Sequence, residues 1–171
     1  MPKITCGISS KDFQNAAKKV REYKAEVLMK ARLIVSDLAD YGVVLARTFV
    51  AEMDAVDKGN LMNSIDAFYD PTNNVGYIRV DCDYAVFVEF GTGLRGANAP
   101  YPGDAINQVA YRYGDGTHYV MLKDGRIGWF YPADNGTWKF TEGMPSRPFM
   151  YDTALELHSS IAQLVKEAFK R

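Results

Sequence analysis

Apolar and polar positions follow a helical period through the first part of the chain. From Phe13 onwards, apolar residues recur at steps of three and four, which places them on one face of an α-helix. Ser9 is suited to cap the start of this helix, with Asp12 completing a capping box, and Ile8 and Phe13 are spaced to form a hydrophobic staple. The pattern therefore predicts one long helix over residues 9–53.

The predicted length of this helix limits how it can be accommodated. About 40 residues of helix span about 60 Å, whereas a domain of this size is only about 35–40 Å across. Gly42 is expected to bend or split the helix, at a cost of about 1 kcal/mol relative to alanine. The helix should therefore either project from the body or break. Its apolar face should pack on the chain's own sheet or on a neighbouring subunit.

Two further patterns predict β-hairpins. Runs rich in β-branched and aromatic residues are separated by turn-forming residues, at 70–74 in the first hairpin and at Asp124-Gly125 in the second. The predicted strands cover residues 65–69, 75–80, 119–122, 127–131 and 137–141. Both hairpins imply antiparallel pairing.

The segments between these elements give less regular patterns. Residues 84–90 are apolar except for one glutamate and fit either a strand or a short buried helix. A short helix is expected near residues 57–63, with Asp57 as its cap. Residues 94–118, rich in glycine, proline, asparagine and aspartate, predict a long loop with a small helix within residues 104–113.

The chain is expected to end in a second amphipathic helix, over residues 146–170. Ser146 can cap it, and Pro148 lies in its first turn, where a missing N–H costs nothing. Its apolar face is predicted to pack on the sheet. The order of elements predicts an α+β fold in a single domain, 1–171.

Composition and charge exclude several classes of protein. The 47% hydrophobic and 24% charged residues are those of an ordinary soluble protein, and the net charge of -1 predicts no strong overall attraction to DNA or anionic lipid. Cys6 and Cys82 are far apart and have no metal-site spacing, so free thiols in a reducing cytosol are expected. No apolar run is long enough for a signal peptide or a membrane span, which predicts a cytoplasmic protein without a membrane partner.

Glu89 is the one ionisable residue of its apolar run, and two interpretations of it stay open. It is a candidate general base, and with His118 it defines the hypothesis of a small cytosolic hydrolase. No nucleophile–base pair or second carboxylate stands near it in sequence. This favours a carboxylate that binds backbone N–H groups or an arginine at a packed corner. We therefore predict no enzymatic activity.

Neither a phosphate-binding loop nor a metal site is predicted. Gly91-Thr92-Gly93 lacks the Lys-Ser/Thr pair and the full glycine spacing of a nucleotide loop, so a turn with positive φ angles is favoured. His118, His158 and the run Asp81-Cys82-Asp83 do not assemble three or four metal ligands. No cofactor is expected.

Charged and aromatic side chains indicate candidate contact surfaces. Basic residues outnumber acidic ones on the first helix, whereas the charged residues within 52–89 are mostly acidic. Such runs are usually solvated faces, but they would also suit head-to-tail contacts in a ring, with DNA binding by the basic helix as a weaker alternative. The aromatic strand residues fit a sheet core, an exposed protein–protein patch or a base-stacking surface. The candidate subunit-interface residues are Lys18, Lys19, Arg21, Lys24, Trp129 and Tyr131.

Three blocks of sequence resemble those of a known family. They are Gly59-Asn60-Leu61-Met62-Asn63-Ser64-Ile65, Tyr84-Ala85-Val86-Phe87-Val88-Glu89-Phe90-Gly91-Thr92-Gly93 and Met144-Pro145-Ser146-Arg147-Pro148-Phe149-Met150. In order and content they are similar to the small neck and minor tail-component (head–tail joining) proteins of long-tailed, lambda-like bacteriophages and prophages. The resemblance extends over most of the chain, since a long helix also precedes the blocks and a helix follows them.

This resemblance implies a structural virion protein that joins head and tail or completes the tail, as a ring around the DNA channel. It implies a tail-terminator-like fold and six copies of the chain. The implied partners are head-connector and tail proteins, with DNA only passing through the channel, and the implied location is the virion after assembly in the host bacterial cytoplasm. The family brings no catalytic residues. The expected packing and assembly motif comprises Tyr84, Glu89, Phe90, Gly91, Thr92, Gly93, Arg147, Pro148 and Phe149.

Overall fold

A computed structural model describes residues 4–55, 59–114, 119–133 and 135–170 of the chain. The helices are α1 (Ser10–Glu52), α2 (Asn60–Asn63), α3 (Ala85–Phe90), α4 (Gly93–Asn98), α5 (Ala105–Gln108) and α6 (Phe149–Lys170). The strands are β1 (Ile65–Asp70), β2 (Val75–Val80), β3 (Val120–Met121), β4 (Ile127–Pro132), β5 (Trp138–Thr141) and β6 (Gly143–Met144). The predicted α+β class, with a long first helix, antiparallel strands and a last helix, is confirmed.

The first helix begins as the sequence predicts. The Ser9 Oγ atom accepts the Asp12 N–H at 3.2 Å, and the Asp12 carboxylate accepts the Ser9 N–H at 3.3 Å, which completes the capping box. The predicted hydrophobic staple is wrong, because Ile8 is 98% exposed. At 43 residues the unbroken helix is about 65 Å long.

Gly42 does not split α1, because it is a point of close packing. A Cβ atom at this position would collide with the side chain of Ile78 on β2 and lie 3.0 Å from Leu157 on α6. The missing side chain lets the hairpin and the last helix approach α1 at the same level. The expected break was therefore wrong, since tertiary packing outweighs the low helix propensity of glycine.

The β1–β2 hairpin forms a separate two-stranded sheet whose inner face packs on α1. Its antiparallel register places Ile65 opposite Val80. At the other end of the hairpin, Gly76 lies close to Val35 of α1. Arg47 of α1 donates a hydrogen bond to the Ile65 carbonyl oxygen at 2.8 Å, which ties the start of β1 to the helix.

The last helix packs on α1, whereas the sequence pattern predicted packing on the sheet. The two helices are antiparallel, because Leu157 lies beside Gly42 and the Phe169 ring lies 5.5 Å from the Lys30 Nζ atom. The inner face of the β1–β2 hairpin is already covered by α1. The apolar stripe of α6 therefore packs against α1, which leaves Leu157 and Leu164 half-buried and Ile161 and Val165 exposed.

Three of the remaining strands form a second antiparallel sheet in the order β3-β4-β5. Asp124-Gly125 forms the β3–β4 turn, where Gly125 has a φ of +86° and its N–H binds the Leu122 carbonyl oxygen at 3.0 Å. The predicted hairpins therefore exist, but they belong to two small sheets. In the described residues β6 pairs with the segment before α4, where Thr92 opposes Met144.

The fold decides the secondary structure of two of the less regular segments. Residues 84–90 are helical from Ala85, so of the two alternatives the short helix is correct. Residues 94–114 contain all of α5, which lies within the small helix expected at residues 104–113, and most of α4, which was not predicted. The proposed cap Asp57 lies outside the described residues, while α2 itself covers part of the predicted 57–63 helix.

Candidate functional site

Glu89 lies at the end of α3, and its carboxylate caps the first turn of α6. The Oε2 atom accepts the Met150 N–H at 2.9 Å, and the Oε1 atom accepts the Tyr151 N–H at 3.0 Å. The first N–H groups of a helix have no acceptor within the helix, and a negative charge there is favoured by the helix dipole. Glu89 therefore joins two helices about 60 residues apart in sequence.

Ser146 does not supply this cap, so that prediction is wrong. Its hydroxyl donates a hydrogen bond to the Glu89 backbone carbonyl at 2.6 Å, and α6 begins three residues later, at Phe149. Glu89 is thus held at both ends, with its backbone bound by Ser146 and its side chain by α6. The sequence alone points to Ser146 because only residues close to a helix can be weighed as caps in that way.

Burial dominates the electrostatics of this carboxyl. Glu89 is 8% exposed, and its desolvation raises its pKa from 4.5 to about 7. The hydrogen bonds from Met150 and Tyr151 lower the pKa, and the nearby Asp152 carboxyl raises it further. Burial also raises the pKa of Asp152. The Glu89 carboxyl can therefore change protonation near neutral pH while it faces the backbone of α6.

Gly91, Thr92 and Gly93 form a turn in which both glycine positions exclude a larger residue. Gly91 has a φ of +79°, and a Cβ atom there would lie 2.6 Å from the Ser146 nitrogen. Gly93 has a φ of +63°, and a Cβ atom there would lie 2.6 Å from the Glu142 carbonyl oxygen. The Thr92 hydroxyl accepts the Met144 N–H at 3.1 Å, so this turn is bound directly to β6.

Arg147-Pro148-Phe149 joins α3 to the main core. The Arg147 N–H donates to the Val88 carbonyl oxygen at 2.9 Å, and Phe149 is 1% exposed. Phe149 belongs to the same buried cluster as Leu61 and Ile65. The three blocks of sequence that carry the family resemblance therefore meet in one packed region.

Tyrosines of the predicted loop cover Phe90 beside this region. The Tyr101 and Tyr111 rings lie 4.8 and 5.0 Å from the Phe90 ring, between centroids. The Tyr111 hydroxyl donates to the Gly91 carbonyl oxygen at 2.6 Å, and the Tyr113 hydroxyl accepts the Tyr101 N–H at 3.1 Å. Burial raises the pKa of both Tyr101 and Tyr111.

No periodic pattern in the sequence predicts this aromatic cover. Its residues lie among glycines, prolines and asparagines, and they show neither a helical nor a strand period. The one available signal was the number of tyrosines between residues 101 and 113, which is unusual for a purely solvated loop.

Tyr84 and two of the predicted interface residues surround a concavity of about 480 Å³. The Trp129 ring stacks on Tyr119 with centroids 5.7 Å apart and is half-buried, while Tyr131 is exposed. Phe87 and Met144 also line the concavity, so it adjoins the turn at Gly91-Thr92-Gly93. The walls are mainly aromatic and apolar, a composition typical of protein contact surfaces.

The predicted interface lysines and arginine lie on a different element. Lys18, Lys19, Arg21 and Lys24 are all exposed on the N-terminal half of α1. Lys18 pairs with Glu22 at 3.8 Å, a solvated contact of small energetic weight.

The described residues include no group of three or more His, Cys, Asp or Glu side chains that could hold a metal ion. His118 lies outside the described residues, so the pairing of Glu89 with His118 stays a prediction. Within the described part of the chain, no helix is both long enough and apolar enough to span a membrane.

Comparison of the chain with protein-family models, with curated proteins and with solved structures gives no match. The resemblance of the three sequence blocks to phage neck proteins therefore stays a prediction.

Proposed function

We propose that this protein is a structural component of a tailed bacteriophage particle, located at the neck or at the completed end of the tail. Subunits would form a ring around the DNA channel and contact the head connector and tail proteins. The observation that carries the proposal is the meeting of the three resembling blocks in the buried cluster that contains Leu61, Val88 and Phe149. Residues shared with a family for structural reasons are expected to contact one another in the fold.

The chemistry of Glu89 favours a packing role over a catalytic one. Both oxygens of its carboxylate accept backbone N–H groups of α6. A general base needs an oxygen directed at a substrate. The hydrolase hypothesis, which also requires His118, stays a prediction, as does DNA binding by the first helix.

Deletion of the gene from the encoding phage tests the proposal, with electron microscopy of the resulting lysates. Full heads lying apart from finished tails are expected for a joining or completion protein, and overlong tails would indicate a terminator. Complementation with Glu89→Ala should fail because α6 loses its cap, whereas complementation with the exposed control Glu156→Ala should succeed. Normal infectious particles from the deletion strain would refute the proposal.

A further inference from the structure

The N-terminal half of α1 extends beyond the elements that pack on the rest of it. The last helix runs antiparallel to α1 and ends near Lys30, where the Phe169 ring lies 5.5 Å from the lysine Nζ atom. The β1–β2 hairpin reaches α1 near Val35, where Gly76 is in close contact. Residues 10–28, the projecting segment, therefore extend about 30 Å past both.

An apolar stripe continues along the projecting segment. Phe13, Val20 and Val27 are spaced by seven residues, and the same spacing leads to Ile34 and Tyr41, which line concavities beside α6. Phe13 is 61% exposed and Val20 is 52% exposed. The stripe that faces α6 in the second half of α1 thus continues uncovered by the last helix in the first half.

Basic side chains flank this stripe. At 100° per residue, Lys24 lies about 40° from Val20 around the helix axis, and Lys19 and Arg21 lie about 100° to either side. All three are exposed. Of the acidic residues nearest to this face, Asp12 belongs to the capping box and Glu26 pairs with Lys30 at 3.0 Å. The stripe therefore presents apolar side chains between positive charges.

The outer face of the β1–β2 hairpin has complementary properties. The register pairs Phe68 with Tyr77 and Asp66 with Arg79 on this face. Asp81, whose N–H binds the Ser64 carbonyl oxygen, extends the same face by one more pair. Phe68 is 64% exposed and Tyr77 is 50% exposed, with ring centroids 6.2 Å apart. A concavity of about 350 Å³ lies between residues of the two strands.

Acidic side chains outnumber basic ones on this outer hairpin face. Asp66 and Asp81 are exposed, and Asp70 lies at the end of β1, against one arginine, Arg79. Each strand has six residues and spans about 20 Å, which suits a helix laid along the sheet. Apolar centres and opposite charges therefore occur on two separate surfaces of the same chain.

We propose that the projecting segment of α1 binds the outer hairpin face of a second copy of this chain. Val20 and its neighbours would pack on Phe68 and Tyr77, while Lys19, Arg21 and Lys24 would lie near Asp66 and Asp81. The two surfaces differ, so each copy can bind one neighbour with its helix and another with its hairpin. Such head-to-tail contacts generate a ring when the rotation closes. The inference rests on the proposed function and adds the residues that join the subunits.

A charge exchange between two variants tests this contact. The acidic-helix variant carries Lys19→Glu, Arg21→Glu and Lys24→Glu, and the basic-hairpin variant carries Asp66→Lys and Asp81→Lys. The substituted side chains are exposed, so both variants should fold, as circular dichroism will show. A control with Lys123→Glu, Lys139→Glu and Lys166→Glu has the same charge change as the acidic-helix variant on other exposed positions.

Sedimentation velocity measures the assembly of each protein at one concentration and low salt. We expect oligomers from the wild type and the control, and monomers from each charge variant alone, since like charges then meet. An equimolar mixture of the two variants should regain oligomers, because every contact again joins opposite charges. High salt should weaken the oligomers of the mixture.

Three results would overturn the contact. They are a monomeric wild type, a folded mixture that stays monomeric, and a basic-hairpin variant that assembles normally alone. The last result would mean that projecting segments pair with each other. The deletion experiment tests the phage role separately. Failure of the mixture together with separated heads and tails would refute the contact alone, and success of the mixture together with normal particles would refute the phage role alone.

Discussion

Glu89 shows how one buried carboxyl can join distant parts of a chain. Two opposing effects act on it, because burial disfavours its charge and the N–H groups of Met150 and Tyr151 favour it. Burial is the larger effect, and the pKa rises to about 7. The folded protein therefore binds this proton more tightly than the unfolded chain does.

Stability should consequently depend on pH through Glu89. Its pKa is raised on folding, so its stabilising contribution is fully present below about pH 4.5 and is lost as the pH rises through about 7. The full change is about 3 kcal/mol, at about 1.4 kcal/mol per pH unit. In Glu89→Gln the free energy of unfolding should be lower at acid pH and should depend less on pH, as urea denaturation between pH 5 and 8 will measure.

The exposed residue Glu156 provides the matched control. Glu156→Gln should retain the pH dependence of the wild type, because its side chain is solvated in both states. Equal pH slopes in the wild type and Glu89→Gln would contradict a large change of the Glu89 pKa on folding.

Gly91 permits a second prediction at the scale of one residue. Gly91→Ala should lower the free energy of unfolding by about 3 kcal/mol or more, because it adds a steric collision with Ser146 to the strain of a positive φ. Gly125→Ala provides a control, since Gly125 also has a positive φ but has nothing within 4 Å of a Cβ atom. Its cost should be only about 1–2 kcal/mol. Equal costs in thermal or urea denaturation would contradict close packing at Gly91.

At the scale of elements, α1 stays continuous through Gly42 because the hairpin and α6 pack closely against that position. Gly42 costs about 1 kcal/mol in helix propensity relative to alanine, but it gives Ile78 and Leu157 room beside the helix axis. The hairpin and α6 then stabilise the second half of α1 from two sides. The first half retains helical structure with fewer contacts, supported by its capping box at Ser9.

The effect of Gly42→Ala should therefore be opposite to the effect expected from helix propensity. We expect a loss of about 1–3 kcal/mol in the free energy of unfolding, because the methyl group overlaps Ile78. In an Ile78→Ala background the same substitution should cost less or even stabilise, and a double-mutant cycle by urea denaturation measures that difference. Additive effects of the two substitutions would contradict their contact.

At the scale of the whole molecule, two surfaces remain exposed although each is suited to burial. Exposed aromatic and aliphatic side chains on the outer hairpin face and the projecting segment have opposite charge at their margins. Mutual burial of these surfaces between copies would remove both from water. The same contact would explain why the first half of α1 has few contacts within its own chain, because that half would pack on a neighbouring copy.

Much of the fold follows from short-range rules that act within each segment. The capping box at Ser9, the helical period after it and the turn at Asp124-Gly125 depend only on neighbouring residues, so their elements were predicted with nearly correct bounds. The period of residues 84–90 was too short to separate strand from helix. The tyrosines after residue 100 lack any period, and their packing on Phe90 could not be predicted.

The amino-acid sequence was sufficient for the α+β class, for most helices and strands and for the identity of Glu89 as an unusual residue. The partners of these elements depend on contacts between residues distant in the chain. No periodic pattern in the sequence indicates that α6 packs on α1 or that the strands divide into two sheets. The same is true of the cap that Glu89 places on α6. Such contacts depend on which faces remain unburied once the chain is compact, a property of the assembled structure and not of any segment.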